Sequence, residues 1–319
     1  MWRHLRNLFC TWVMGWGCMS AWAQPVSADV RVVVVRSDAS AAYADAAQAM
    51  EDALQRKGVA RGDVQQLLAS ELVARLKSGT KPLARVYVAL GSEATNLLLD
   101  TSFTAPVLSA LVPRRSFERM LQVHGRIASD KLSAIYLDQP LTRHLSLIKQ
   151  VFPQAKRLGV LWGPDSMLSA SHLKAVASAS GMSLREARVT GDTGVFAGLN
   201  EVLGDSDVFL ALADPLVFNG TSIQNILLAT FRAGVPMVAF SPAYVRAGAL
   251  MALYTSPAQA GGQAADLVAN VLAGKGLPEQ AIEPNDFEVG VNQHVARSLG
   301  LTLDGAALRL ALRRMERLP

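Results

Sequence analysis

The stretch from Asp205 to Pro257 constrains the fold more than any other. A short apolar run, Val208–Leu212, stops at Asp214-Pro215. A helical pattern comes next, with Ile223, Ile226, Leu227, Thr230 and Phe231 on one face at 3.6-residue spacing. Gly234 is placed to end that helix, and Val235-Pro236 leads into a second apolar run, Met237–Phe240. Strand, loop, helix, loop and strand in that order is the unit of a parallel sheet. Asp214 and Ser241 then fall just past the C-terminal ends of two strands. Ligands of open α/β sheets bind at that edge, so the unit points to a binding cleft more than to catalysis.

The same grammar runs through the rest of the chain. Val30–Val35 is a β-branched run interrupted only by Arg31, as expected for a strand buried on both faces. Helical spacing is read over Tyr43–Leu54 and again over Val64–Leu76, and strands at Val86–Leu90 and Pro106–Val112. The reading changes near 125–138, where Leu132–Leu137 is a strand and Gln139-Pro140 opens a helix. Leu158–Trp162, a weaker strand at 184–189 and a helix carrying Val195, Leu199 and Val202 precede the unit described above. After it come a strand at Leu250–Thr255, a helix opened by Ser256-Pro257, a strand at Phe287–Val291 and a helix from Asn292 to Gly300. The fold class is therefore α/β, in two similar halves with parallel sheets.

The N-terminus reads as an address. Arg3 and Arg6 precede an apolar core, Leu8–Met19, and Ala21-Trp22-Ala23 is an A-x-A cleavage site, so residues 1–23 are expected to be an export signal removed after Ala23. That core is shorter than the roughly 20 residues of a membrane-spanning helix, and a soluble mature protein in a bacterial periplasm is expected. Both cysteines, Cys10 and Cys18, lie in the signal, which leaves no disulfide, thiol nucleophile or thiolate metal site in the mature chain. The 31 basic residues exceed the 26 acidic ones only slightly, with no basic stripe interleaved with aromatics, so nucleic acid is not an expected partner. The five histidines, His4, His124, His144, His172 and His294, show no zinc-site spacing, and no phosphate-cradling glycine motif is present. Ser171-His172-Leu173-Lys174 matches S-x-x-K, yet the only K-T-G-like triplet, Lys77-Ser78-Gly79, stands on the wrong side of it. No catalytic residue, cofactor or metal is expected, and the chain is not expected to be an enzyme.

Several segments carry a family resemblance. They are Leu212-Ala213-Asp214-Pro215, Val235–Ser241, Val245–Leu250, Gly261–Ala265, Val271–Lys275, Phe287–Asn292 and Ala296–Gly300, together with Gly91–Thr95 and Phe152–Leu161. In this order they resemble the periplasmic substrate-binding proteins of a poorly characterised ABC-transporter group that includes receptors for aromatic amino acids. The resemblance implies a type I periplasmic-binding fold, in which two Rossmann-like lobes are joined by a three-crossover hinge and hold a ligand between them. It also implies that the helix at 257–273 returns to the first lobe and Phe287–Val291 to the second. The first lobe is then 24–124 with 256–283, the second 125–255 with 284–303, and 304–319 is a basic tail expected to be a solvated helix. The sequence departs from the group in two places. An Asp-Pro loop is replaced by Ser109-Ala110-Leu111-Val112-Pro113, and a Thr-Gly turn by Ile127-Ala128-Ser129-Asp130.

Candidate ligand contacts are the loops that come after strands. Ser37 and Asp38 either cap the next helix or meet a ligand, and Gly91 and Ser92 offer either a simple cap or backbone amides that seat a carboxylate. Ser109 lies at the altered loop. Trp162 either stacks on a ligand or belongs to the core, and Asp214 either binds an ammonium or caps through its loop. Ser241 and Tyr254 lie at strand ends near the second crossover, with hinge packing the alternative for Tyr254. The expected function is a monomeric receptor that captures a small carboxylate-bearing ligand, of the amino-acid or organic-acid class, for an ABC permease of the inner membrane. The alternative is a sensory or scaffolding module that docks onto a membrane sensor or an outer-membrane receptor.

Overall fold

The computed structural model describes residues 30–101, 103–190 and 194–316. The export signal with its cleavage point, and Arg317 of the tail, lie outside the described residues. The first part of the chain runs β1 (Val32–Arg36), α1 (Ala41–Arg56), β2 (Val64–Leu68), α2 (Ala69–Lys77), β3 (Val86–Leu90), α3 (Ser92–Asp100), β4 (Val107–Val112), α4 (Arg114–Val123) and β5 (Leu132–Tyr136). Its strands pair in parallel in the order β2-β1-β3-β4-β5. Successive strand residues point to opposite faces. Val32 and Val34 accordingly join the core under α1, while Val33 and Val35 join the one under α2 and α3. A strand covered on both sides needs apolar residues at every position, which is why this run is unbroken valine.

The second part runs α5 (Leu141–Val151), β6 (Arg157–Trp162), α6 (Ala170–Ala179), β7 (Ser183–Arg188), α7 (Gly194–Leu203), β8 (Val208–Leu210), α8 (Ile223–Ala233), β9 (Met237–Ala239), α9 (Pro242–Ala247) and β10 (Met251–Tyr254). After it come α10 (Pro257–Leu272), β11 (Glu288–Val291), α11 (Gln293–Ser298) and α12 (Gly305–Glu316). The second sheet has the order β11-β10-β9-β8-β6-β7, parallel except for the antiparallel edge strand β11. Gly234 ends α8 in the left-handed conformation, φ 66°. Helix α10 leaves the second sheet and packs on α1 of the first lobe, where Gly261 lets the two backbones meet. A Cβ at Gly261 would stand 2.1 Å from the Ala46 carbonyl oxygen.

Four sequence expectations are corrected. Val64–Leu68 is not helical; it pairs with β1 as an edge strand, and its half-exposed side chains fit either period. Leu132–Tyr136, expected in the second lobe, hydrogen-bonds to β4 and closes the first sheet, which moves the first crossover to 137–140. The C-terminal segment is not a solvated tail. Leu308 and Leu312 of α12 are buried in the second-lobe core, and Arg309 and Arg313 bond Asp286. Finally, α3 is capped by Gly91, with Ser92 as its first residue.

Candidate functional site

The lobes are joined by three passages: 137–140, 255–256 and 283–287. A buried polar network ties them together. Gln139 donates to Thr255 Oγ1, and Thr255 Oγ1 donates to the Asp286 carbonyl at 3.2 Å. The Arg143 guanidinium donates to Gln139 Oε1 at 2.6 Å and to the Pro284 carbonyl at 3.2 Å. Arg143 and Arg313 both lie over the Phe287 ring, 4.4 and 5.5 Å from its centre.

Beside this hinge lies a cavity of about 280 Å³ with walls from both lobes. The first lobe supplies Pro113, Arg114, Arg115 and Glu118 at the start of α4, and the passage supplies Leu137, Asp138 and Gln139. These residues are aimed by a bulge in β4. The register with β5 shifts between Ser109 and Val112, and Leu111 has φ 54°, the only positive φ outside glycine among the described residues. A bulge bends a strand and redirects the chain beyond it. Holding leucine there costs about 1 kcal/mol.

The second lobe supplies the loop at Asp165, Ser166, Leu168 and Ser169, His172 of α6, and the apolar strand ends Ala211–Ala213, Phe240 and Leu253. Its α5 contributes Leu141 and His144. Contacts cross the gap beside the cavity. Arg119 of α4 pairs with Asp165, and Arg115 Nη2 donates to Ser169 Oγ at 3.2 Å. On the first-lobe side Arg115 pairs with Glu118 at 2.5 Å and Arg114 with Glu283 at 2.6 Å. Asp138 accepts the Arg114 backbone N–H at 2.6 Å, and burial pushes its carboxyl above the usual carboxylate range. His144 is 3 % exposed, and burial, with Arg143 adding to it, lowers its pKa to about 4.

None of the nine residues singled out from the sequence lines the cavity. Ser37 Oγ donates to the Leu90 carbonyl and accepts from Ala94 N, bracing the start of α3. Asp38 is exposed and accepts from Ser40 N at 2.7 Å just ahead of α1; hydrogen bonding to the Ser40 side chain, and then to its backbone N–H, lowers its pKa. At Gly91 the backbone N–H donates to the Ala110 carbonyl oxygen at 2.9 Å, and the space beside it is crowded from within. Gly91 has φ 93°, and a Cβ there would meet the Tyr43 hydroxyl at 2.4 Å and Ser37 Oγ at 2.6 Å. Ser109 is buried in β4, and its hydroxyl finds no partner among the described residues. Trp162 is core, 1 % exposed, with its indole N–H on Glu186 at 2.7 Å. Asp214 is 3 % exposed and holds the Asp165–Ser166 loop. It accepts from Asp165 N, Ser166 N, Ser166 Oγ and Leu216 N at 2.8–3.1 Å. Ser241 caps α9, and Tyr254 packs beside Gly290 near Glu288, with burial raising its pKa.

The pattern has a physical cause. Ala213, Phe240 and Leu253 line the cavity while Asp214, Ser241 and Tyr254, the next residue in each case, do not. Polar residues at strand ends are drawn to the orphan amides of nearby turns and helices, and the preceding apolar residue forms the wall. The cavity residues that sequence reasoning misses are Arg114, Arg115, Asp138 and His144. Spacing tests the histidines only for zinc. A charged pair at a helix start directly after Pro113 is the available signal. No group of three or more metal-ligating side chains occurs among the described residues, and none of their helices is long and apolar enough to cross a membrane.

The ABC transporter substrate binding protein family matches residues 32–314. The chain belongs to this family. The family is a solute-binding class found outside the cytoplasm. No curated protein matches the sequence. Solved structures similar to this ABC substrate-binding protein include a conserved domain protein from Vibrio cholerae, 24% identical, with TM-score 0.59 over 88% of this chain and 97% of that one. A ligand-free, open substrate binding protein with adhesive properties from Clostridium difficile is 18% identical, with TM-score 0.69 over 86% and 96%. An ABC domain in complex with L-Trp from Streptococcus pneumoniae is 15% identical, with TM-score 0.58 over 87% and 98%. At these identities the likeness establishes the fold, a type I periplasmic binding protein of two lobes.

Proposed function

We propose that this protein is a periplasmic solute receptor that closes on a small molecule between its lobes and delivers it to an ABC permease of the inner membrane. The observation that carries the reading is the cavity at the hinge, walled by both lobes and bridged at its edge by Arg119–Asp165 and Arg115–Ser169. Those bridges exist only while the lobes are close, so a ligand that fills the cavity favours the same closed population. About 280 Å³ lies near the small end of ligand pockets, which run from roughly 300 Å³ upward. That suits a molecule of amino-acid or monosaccharide size. The protein acts as a monomer, without cofactor and without catalysis.

The expectation of a carboxylate-bearing ligand rests on free amides at Gly91 and Ser92. Gly91 N–H already donates to the Ala110 carbonyl oxygen at 2.9 Å, and Tyr43 and Ser37 crowd the position, which weakens that support. The test is thermal unfolding of the purified protein against amino acids, amino alcohols, sugars and organic acids. A ligand at a hundred times its Kd adds about 2.7 kcal/mol of stability. A raised midpoint with at least one class is expected. A flat response, with nothing released on denaturing protein taken from the periplasm, refutes the receptor reading. Co-purification with a permease separates import from sensory docking.

A further inference from the structure

Two charged residues stand at the centre of the hinge network, Arg143 and Asp286. Arg143 is buried, and its guanidinium joins the first passage to the third by bonding Gln139 Oε1 and the Pro284 carbonyl. The Asp286 carbonyl joins the third passage to the second by accepting from Thr255 Oγ1. A buried charge stripped of its opposite is strongly destabilising, so where each charge finds its partner matters. Among the described residues, both find it on α12 alone. Arg143 pairs with Glu316, and Asp286 pairs with Arg309 and Arg313. Arg309 also reaches Glu288 at 3.3 Å, where β11 begins.

Helix α12 belongs to the second lobe. Leu308 and Leu312 fix it in that lobe's core, and none of its residues lines the cavity. The third passage is gripped from the other side by α10, which packs on the first lobe. There Gln263 Nε2 donates to the Glu283 carbonyl at 3.2 Å, and Gln263 Oε1 accepts from Asn285 N at 2.9 Å. Side-chain control of this passage therefore changes from α10 to α12 between Asn285 and Asp286.

We infer that α12 is a latch on the hinge, and that the C-terminal helix, remote from the cavity, sets how often the lobes part. With its charges in place the three passages are tied together, in the arrangement whose lobes meet at Arg119–Asp165. Without them Arg143 and Asp286 turn toward water, the ties to Gln139 and Pro284 lapse, and the passages bend independently. The ligand-free population then spreads toward wider openings. This inference goes beyond the receptor reading, and its readout needs no ligand.

The test reads the gap directly. Both natural cysteines lie within residues 1–23, so a chain beginning at Gln24 accepts two new ones for spin labels. Gln122→Cys and Lys174→Cys are exposed positions on α4 and α6, the helices that line the cavity from opposite lobes. Double electron–electron resonance then gives the distribution of gap widths in ligand-free protein. Glu316→Gln, and Arg309→Gln together with Arg313→Gln, are each expected to raise the population at longer distance about fivefold or more. Leu199→Ala truncates the second-lobe core on α7, away from the hinge, and is expected to lower stability while leaving the distribution unchanged. A wild-type distribution in the latch variants overturns the inference. Equal broadening by Leu199→Ala also overturns it, because loosening would then follow from any weakening of the lobe. Glu316→Gln alters an exposed residue and keeps its size, so it decides the matter if the double variant folds poorly. Failure of every solute to bind would refute the receptor reading and leave this inference standing.

Discussion

Replacing Asp214 tests whether a polar residue at a strand end serves the ligand or the scaffold. Its carboxylate accepts four hydrogen bonds within the second lobe, three of them from the loop that forms one wall of the cavity. It also fits closely against Gly163, where a Cβ would stand 2.3 Å from Asp214 Oδ1. A hydrogen bond to a charged group contributes roughly 1.5–3 kcal/mol, and a buried donor left unpaired costs about 1–3 kcal/mol. Water entering the vacated space recovers part of this. Asp214→Ala is therefore expected to cost about 4 kcal/mol. Asp214→Asn keeps one oxygen but sets its amide against Leu216 N–H, at a cost of about 2 kcal/mol. The assay is available without labelling. Four of the five tryptophans fall within residues 1–23, so a chain beginning at Gln24 has Trp162 alone, buried next to the affected loop. Urea unfolding monitored by its fluorescence reports the second lobe. If Asp214→Ala unfolds within about 1 kcal/mol of the wild type, the carboxylate is not holding the loop and the scaffold assignment is refuted.

Three further outcomes are expected. Gly261→Ala forces a Cβ against the Ala46 carbonyl, which is backbone and cannot step aside, so it should cost about 3 kcal/mol or more or prevent the first lobe from folding. Circular dichroism and urea unfolding check this, and a neutral result would refute the close approach of α1 and α10. His144 is neutral in the folded protein to about pH 4, whereas the unfolded chain binds its proton below about 6.5. Stability should therefore fall as pH drops through that window and level off below it, and His144→Phe should flatten that fall, as measured by denaturation at stepped pH. Arg119→Ala removes an exposed pair across the gap, worth up to about 1 kcal/mol, and should shift ligand-free protein toward the open form by up to about fivefold. Small-angle scattering would show a larger radius of gyration, and an unchanged one would deny Arg119 a part in closure.

The sequence by itself determined the architecture. Runs such as Val32–Val35 and Val86–Leu90 can be buried on both faces only in a parallel sheet flanked by helices, and the glycines and prolines between them mark where strands and helices end. Local pattern cannot say which sheet a strand joins. That is why the pattern puts Leu132–Tyr136 in the wrong lobe, and why Val64–Leu68 reads as helix although its pairing with β1 makes it a strand. Tertiary structure alone decided the site. Ser37, Asp214 and Ser241 are polar and stand at the expected edge, yet the orphan amides of neighbouring turns claim them first. The cavity is left to His144, Arg115 and Asp138, which three-dimensional packing brings together from different helices and a crossover. Hydrogen-bond competition is settled by distance in space, and distance in space is what a linear pattern does not contain.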